Sequence, residues 1–287
     1  LIFSSVKTKL IILLTLSYVS SYAIGYSKVN KSSSAFIENK GQITDQYRSV
    51  RNDIDFKLSA EGIDVFVSAG KLYYQWCFTK ENGLYQSNIH ALLKNRTAEQ
   101  SSGKFYFNRV DVSLVGANIN AEVVREKRRS DYDIFYTNTT GKDGATAYSY
   151  EKVTYKNIYP NIDWVLYTAN GSLKYDFVVN KGGNVNNIKL QYLGDMKLSL
   201  INGELRLETE TGTISEERPY TFNVTNNEPI QSSFTLKDNT IGFSVNAAPP
   251  FVIDPSVAWG TYYGGTGDDG ALSVVVDKQD NIYLHGN

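Results

Sequence analysis

The clearest alternation of apolar and polar positions lies in residues 153–179, where two runs of β-forming residues flank Asn170-Gly171. Asn-Gly favours a type I′ turn, because both central residues of that turn adopt positive φ, and a two-residue loop fixes the register of a hairpin. We expect one face of this hairpin to carry the opposed pairs Thr168 with Leu173, Leu166 with Tyr175, and Trp164 with Phe177. That face is large and apolar, so it is predicted to line a core. The other face, with Val165, Tyr167, Lys174 and Asp176, is mixed and is predicted to meet water or a second layer.

Two more segments carry the same kind of hairpin signal, with Asn202-Gly203 and Asp238-Asn239 as their turns. The first is predicted to pair Leu200 with Leu205 and Leu198 with Leu207 on its core face, and Lys197 with Glu208 and Ser199 with Arg206 on its exposed face. The second is predicted to pair Leu236 with Ile241 and Phe234 with Phe243. Because no βαβ alternation occurs, the predicted fold class is all-β, an antiparallel β-sandwich.

The segments before these hairpins carry shorter strand signals. Residues 54–72 alternate in two runs separated by Gly-containing turns, and residues 105–114 read as further strands. Only residues 88–100 have some helical character, and that segment is short for a stable helix. The strand prediction therefore covers most of the chain.

Four stretches of the sequence resemble a known family: FIENKGQ at 36–42, VDVSLVGAN at 110–118, the hairpin segment KVTYKNIYPNIDWVLYTANGSLKYDFVV, and FVIDP at 251–255. The resemblance is to an N-terminal domain of unknown function that precedes SBBP-type β-propeller repeats in large exported bacterial proteins, especially of the Bacteroidetes. It covers residues 36–255, which we predict to be the sandwich domain. The resemblance implies no catalytic residues.

Residues 256–287 change character and resemble the opening of an SBBP-type propeller repeat. They combine a Gly-Gly-x-Gly-Asp-Asp segment with a later Val-Asp-x-x-x-Asn-x-Tyr segment. A propeller needs about four to eight blades to close, so one such unit is not a fold by itself. We therefore predict a first, incomplete repeat that belongs to a longer protein.

The first 23 residues are predicted to be a secretory signal peptide. Lys7 and Lys9 precede an apolar run at 10–16, and Ser21-Tyr22-Ala23 fits a cleavage site. The run is too short for a transmembrane helix, which needs about 20 residues. The alternative is a buried N-terminal strand or helix. Residues 24–35 are predicted to be a flexible segment, and the protein is expected to be exported to the bacterial surface or the extracellular space, with no transmembrane helix.

Charge and residue types exclude several classes of function. The formal net charge is −1, so no bulk electrostatic attraction to nucleic acid or to an anionic membrane is expected. Residues 125–129 form a basic run, which is either a contact for acidic polysaccharide or lipopolysaccharide or, as we expect, a solvated loop neutralised by Glu126 and Asp131. With one cysteine, Cys77, and two histidines, the chain lacks the residues for a disulfide, a zinc site or a serine triad.

A few residues are candidates for ligand chemistry. Weak calcium candidates are Asp268, Asp269, Asp277 and Asp280, which lie in Gly-rich segments and are better explained as turn formers. No other cofactor is expected. Glu204, Glu208 and Glu210 share a strand face, but cross-strand pairing explains them better than glycosidase chemistry does. Four tyrosines, if exposed, offer stacking surfaces for sugar rings: Tyr148, Tyr150, Tyr155 and Tyr159.

Together these patterns predict a non-enzymatic, exported cell-surface or extracellular module. Its expected role is structural or adhesive support for downstream β-propeller repeats, which would be its principal partners. Surface polysaccharide and other cell-envelope proteins are further candidate partners, and nucleic acid is not. The alternatives are a carbohydrate-binding module and an accessory domain of a larger secreted hydrolase.

Overall fold

The computed structural model describes residues 34–60, 63–81, 84–86, 105–169, 171–210, 212–255, 257–260, 271–276 and 282–286. These residues form antiparallel strands and one short 3-10 helix, Val185–Asn187, and they contain no α-helix. The predicted all-β class is therefore confirmed. No helix in these ranges has the length and hydrophobicity needed to span a membrane.

The strands are β1 Phe36–Glu38, β2 Phe56–Ala60, β3 Ile63–Ser68, β4 Lys71–Glu81, β5 Leu84–Gln86, β6 Phe105–Leu114, β7 Glu122–Phe135, β8 Ala145–Tyr159, β9 Ile162–Ala169, β10 Ser172–Val179, β11 Leu190–Gly194, β12 Lys197–Ile201, β13 Glu204–Thr209, β14 Gly212–Glu216, β15 Tyr220–Asn223, β16 Pro229–Ile230, β17 Ser232–Lys237, β18 Thr240–Val245, β19 Phe251–Asp254, β20 Val257–Gly260, β21 Ala271–Val276 and β22 Ile282–Gly286. The largest sheet has the order β16-β15-β19-β10-β9-β8-β1-β2-β3-β4-β6-β11-β18-β17, with β5 beside β4 and β7 beside β8. A second sheet has the order β12-β13-β14-β20, and β21 pairs with β22.

The long strand β8 belongs to both halves of the largest sheet. Its residues from Lys152 onward pair with β9, whereas Ser149 and Tyr150 pair with β1. Strand β7 pairs with β8 along both of these sections, so β9 and β1 occupy the same edge of β8, one after the other. A bulge in β7 between Arg128 and Tyr132 lies where β8 passes from one partner to the next, and bulges bend strands. The sheet therefore divides at the β7–β8 hairpin into two halves.

The two halves face each other across one hydrophobic core. Phe177 on β10 and Phe243 on β18 are far apart in strand order, yet their ring centroids are 5.8 Å apart. Trp164 is fully buried and stacks between Tyr155, at 5.5 Å, and Phe177, at 6.5 Å. These contacts place the inner faces of both halves in one cluster, as expected for a sandwich of antiparallel sheets.

The predicted registers of all three hairpins are confirmed. Trp164 pairs with Phe177, Lys197 with Glu208, and Phe234 with Phe243, and the remaining predicted pairs follow the same ladders. Trp164, Leu166, Tyr175 and Phe177 are all buried. Gly171 has φ of +84°, as its turn requires, and Asn170 lies outside the described residues.

The second sheet covers an open side of the core. Leu205, Leu207 and Ile214 are buried in the same cluster as the large sheet, while Leu198 and Leu200 are half-buried against it. Strand β20 lies beyond the predicted domain boundary at residue 255 and pairs with β14 of this second sheet. The chain therefore continues to pair with the sandwich after β19.

The basic run at residues 125–129 lies in strand β7, so the prediction of a loop is wrong, although Arg125, Lys127 and Arg128 are exposed to solvent as expected. The Arg125 guanidinium lies 5.2 Å from the centre of the Phe56 ring, and the Arg128 guanidinium lies 4.6 Å from that of Tyr148. Arg129 approaches Glu151 at 3.8 Å. The strand is hard to recognise in the sequence because charged residues interrupt its alternation. The aliphatic stems and guanidinium groups of these arginines pack on aromatic rings of neighbouring strands, which only the tertiary structure brings near.

Several predictions concern segments outside the described residues. These are the signal peptide, most of the flexible segment 24–35 and the helical segment 88–100. Ala35, the last residue predicted to be flexible, is buried beside β1. Cys77 lies in β4 opposite Phe107, and its side chain is outside the described part of the molecule.

We expect Trp164→Ala to lower the free energy of unfolding by about 3–5 kcal/mol, because it removes the ring stacked between Tyr155 and Phe177 and leaves a cavity. Chemical denaturation measures this. The control is Tyr47→Ala, whose side chain is 80% exposed and should change stability by no more than about 0.5 kcal/mol. Equal effects of the two variants would contradict the placement of Trp164 in the core.

Candidate functional site

A polar pocket of about 280 Å³ opens beside β1, where the chain after β1 meets the segment before β2 and the side of β7. Its lining is polar except for one isoleucine and comprises Glu38, Asn39, Lys40, Gly41, Asn52, Ile54, Asp55 and Arg125. Four of these residues belong to the FIENKGQ stretch at 36–42. One of the four stretches that carry the family resemblance therefore lines this concave surface.

The FIENKGQ stretch forms a hydrogen-bonded turn. Asn39 Nδ2 donates to the carbonyl oxygens of Arg51 (2.8 Å) and Ile54 (2.9 Å), while its Oδ1 accepts from the Gly41 N–H at 3.0 Å. Gly41 has φ of +98°, a conformation that favours glycine. Gln42 Nε2 donates to the Glu38 carbonyl at 2.7 Å. These bonds hold residues 51–54 against β1 and shape the pocket.

Glu38 connects the pocket to β8. Its side chain is only 8% exposed, and Oε1 accepts the backbone N–H of Tyr148 at 3.0 Å. Its other oxygen is 3.2 Å from Lys40 Nζ. A buried carboxylate is tolerated where donors satisfy it, and both oxygens of Glu38 have such a donor. Its first role is therefore to tie the turn to β8.

Asp55 connects the pocket to the core. Tyr155 donates its hydroxyl to Asp55 Oδ2 at 2.8 Å, while the Tyr155 ring stacks on Trp164. Burial raises the pKa of Asp55, and the Tyr155 hydrogen bond and the positive charge of Arg125 oppose this shift. Burial also raises the pKa of Tyr155, so the tyrosine acts as a hydrogen-bond donor.

The pocket offers two cations and two carboxylates, with amide groups between them. This mixture suits hydrogen bonding to a small polar molecule better than it suits a metal ion, because Lys40 and Arg125 would repel a cation. Within the described ranges, no three His, Cys, Asp or Glu side chains gather as a metal site. The four calcium candidates, Asp268, Asp269, Asp277 and Asp280, lie outside these ranges.

A second titratable group lies on the outer face of β10 and β19. Phe177 pairs with Ile253, and the next position in the ladder places Asp176 opposite Asp254. Tyr167 donates its hydroxyl to Asp176 Oδ1 at 3.2 Å. Burial, together with the charge of Asp254, raises the pKa of Asp176 to about 7. Sequence reasoning placed Asp176 on the mixed face but had no signal for Asp254, because this pairing joins distant segments.

A third titratable group, Glu216, is sealed in the core. It is 4% exposed, and it accepts hydroxyl hydrogen bonds from Tyr175 at 2.7 Å and from Tyr192 at 3.1 Å. Burial raises the pKa of Glu216, and the two hydrogen bonds oppose the shift. Sequence reasoning missed it, although the signal was present: Glu216 lies two positions after Ile214, on the inward face of β14.

The other candidates from the sequence do not form a site. Glu204 forms an ion pair with Arg206 of its own strand at 3.7 Å, whereas Glu208 lies opposite Lys197, as cross-strand pairing predicts. Of the four tyrosines considered as stacking surfaces for sugar, Tyr155 and Tyr159 are buried, because β8 turns these rings into the core. Tyr148 and Tyr150 are half-buried. Among the side chains that the structure describes, the exposed aromatic ones are Tyr47, Phe107, Tyr132, Tyr136 and Tyr220.

We expect the stability of the protein relative to a Glu216→Gln variant to fall as the pH rises above about 4.5. Because the folded-state pKa is raised, folding favours the protonated carboxyl, so the contribution is complete below the unfolded pKa and is lost as the pH rises through the folded pKa. A tenfold difference in proton affinity between the folded and unfolded states is worth about 1.4 kcal/mol. Thermal unfolding of both proteins between pH 4 and 8 measures the difference.

The control for this experiment is Glu217→Gln, which neutralises the adjacent, exposed glutamate. Its melting temperature should follow that of the unaltered protein across the same pH range. A difference between the unaltered protein and Glu216→Gln that is independent of pH, or that changes in the opposite direction, would refute the raised pKa of Glu216.

The comparisons with known proteins support one part of the resemblance, the assignment to a domain family of unknown function. No curated protein and no solved structure matches the chain. Residues 36–256, which include the whole polar pocket, match the model of a family described as domain of unknown function DUF7948. The chain belongs to this domain family of unknown function, DUF7948.

Proposed function

We propose that the sandwich is a non-enzymatic structural support module of an exported bacterial surface protein, and that it holds a following array of SBBP-type β-propeller repeats. The observation that carries this proposal is the way in which the chain leaves the domain. Its last two described strands before residue 261 are held in two different sheets.

Strand β19 is held along both edges. It pairs with β10 on one side and β15 on the other, and Phe251 and Ile253 are buried in the core. A strand with two neighbours has its backbone groups in ladders on both edges, so displacing it breaks two sets of hydrogen bonds. This strand is an anchor for the chain that follows.

Strand β20 begins three positions after β19 ends and adds a second attachment. It pairs antiparallel with β14, from Val257 opposite Glu216 to Gly260 opposite Thr213. Tension applied beyond residue 260 therefore acts on the β14–β20 ladder before it reaches β19. Two successive attachments in separate sheets suit a domain that supports a large downstream structure.

The chemistry of the buried polar groups also supports a structural role. Glu38, Asp55 and Glu216 each use their carboxylate oxygens in hydrogen bonds that join different parts of the chain. Groups satisfied in this way stabilise a unique arrangement of strands. In this proposal the protein is exported, its partners are its own downstream repeats, and the polar pocket is a product of the turn that fastens β1.

We expect Ala258→Pro to lower the force at which the domain begins to unfold when the chain is pulled from its two ends. Proline removes a backbone N–H and restricts φ, so it disrupts the β14–β20 ladder. The matched control is Ala258→Val, because valine suits a strand. Single-molecule force spectroscopy on the full chain gives the unfolding force and the length released.

The proline variant should release a short segment at low force before the domain unfolds, and the valine variant should behave as the unaltered protein does. Identical force curves for all three proteins would show that β20 bears no load. The support function as we propose it would then be wrong.

A further inference from the structure

A groove of about 490 Å³ lies on the outer face of the sheet, on the side away from the core, where β6, β11, β18 and β17 run side by side. Gln191 pairs with Thr240, which pairs with Lys237. Two residues away on each strand, the same ladders place Lys189 beside Gly242, and Gly242 pairs with Thr235. These six residues form two rows of three across the groove, and all six point away from the core because the alternate positions are its apolar residues.

Gly242 forms the floor of the groove. It lies in the interior of β18, which has neighbours on both edges, and its φ is not in the left-handed region, so the backbone conformation does not require glycine. A Cβ at this position would lie 2.9 Å from Thr235 Oγ1, inside the groove. Glycine in a strand interior weakens the strand and often marks the close approach of another molecule.

The groove carries positive charge beside neutral hydrogen-bonding groups. Lys189 and Lys237 lie diagonally across Gly242, and neither forms an ion pair with a residue in the part of the chain that the structure describes. Asp238, in the turn after Lys237, offsets one of these charges. Threonine hydroxyls and the Gln191 amide supply both donors and acceptors between the lysines.

We propose that this groove binds a segment of an acidic polysaccharide, with Lys189 and Lys237 pairing with its carboxylate or sulfate groups and Gln191, Thr235 and Thr240 hydrogen-bonding its hydroxyls. Gly242 lets the sugar ring approach the sheet. This binding goes beyond the support function and does not depend on it.

The arrangement of the strands favours a glycan over other anionic polymers. An extended peptide would gain affinity by adding a strand to a sheet edge, which in this region is the outer edge of β17. The groove lies instead on the face of the sheet, over β11 and β18, which are paired on both edges. Single-stranded nucleic acid is held by aromatic side chains on which bases stack, and no exposed aromatic residue lines the groove. Hydroxyl-rich sugars match the threonine and amide groups that remain.

The test measures binding of the full chain to polygalacturonate, dextran sulfate and neutral dextran by isothermal titration calorimetry at low salt. We expect binding to at least one acidic polymer, weakened by added NaCl, and none to dextran. Binding to polygalacturonate assigns the anion as a carboxylate, and binding to dextran sulfate alone assigns it as a sulfate ester. No binding to either acidic polymer, or equal binding to dextran, would overturn the proposal.

Variants locate the binding in the groove. The double variant Lys189→Gln and Lys237→Gln should weaken binding by roughly 3- to 10-fold, since exposed ion pairs contribute modestly. Gly242→Val should abolish binding by filling the floor. Its Cβ would lie 2.9 Å from Thr235 Oγ1 and displace that hydroxyl, so circular dichroism first establishes that the variant is folded. The control is Lys142→Gln, which removes an exposed lysine from the turn between β7 and β8.

The lysine variant tests the charge of the groove and the glycine variant tests its shape, so the proposal stays testable if one of them folds poorly. Unchanged affinity in the double lysine variant would overturn the assignment of Lys189 and Lys237. Unchanged affinity in a folded Gly242→Val protein would overturn the groove as the site. Weakening by Lys142→Gln to the same extent would show that binding depends on net charge alone, and would also overturn it.

Discussion

The structure depends on the two different partners of β8. Its first section pairs with β1 and its second with β9, so one strand supports both halves of the sandwich. Tyr155 lies in the second section, with its ring in the core against Trp164 and its hydroxyl on Asp55 beside the polar pocket. The β7 bulge, the facing inner surfaces and the position of the pocket all follow from this arrangement.

Buried carboxylates connect the parts that the hairpins alone would leave separate. Glu216 joins β14 of the second sheet to Tyr175 on β10 and Tyr192 on β11, one from each half of the large sheet. Removing a carboxylate from water is unfavourable, and burial accordingly raises the pKa of Glu216. The hydroxyls of Tyr175 and Tyr192 donate to its two oxygens and offset part of this cost, which explains how the carboxyl group is accommodated in an aromatic core.

Local signals in the sequence were sufficient for the hairpins and insufficient for their assembly. Asn-Gly and Asp-Asn turns determine which residues face each other, so Trp164 and Phe177 could be paired from sequence alone. Asp176 and Asp254 lie on strands that no turn connects, so local sequence signals could not predict their pairing. The order of strands in the large sheet depends on the same kind of long-range pairing. Strand β7 was missed because its arginines pack on aromatic rings that only the tertiary structure brings near. The polar pocket was missed for the same reason, since Glu38, Asp55 and Arg125 come from three separate segments.

Side chains along β18 point alternately into the core and into the outer groove, so neighbouring positions affect stability and the proposed glycan binding separately. Phe243 points inward and contacts Phe177, which pairs with Ile253 of the exit strand β19. Gly242, one residue earlier, points outward and forms the groove floor. A change at Phe243 would therefore disturb the groove, the core packing and strand β19 together, because the effects of residues in contact are coupled. A change at Gly242 adds atoms on the outer face, beside the Thr235 hydroxyl, and removes no contact of the core, so it acts on the proposed glycan groove without changing the packing of Phe243.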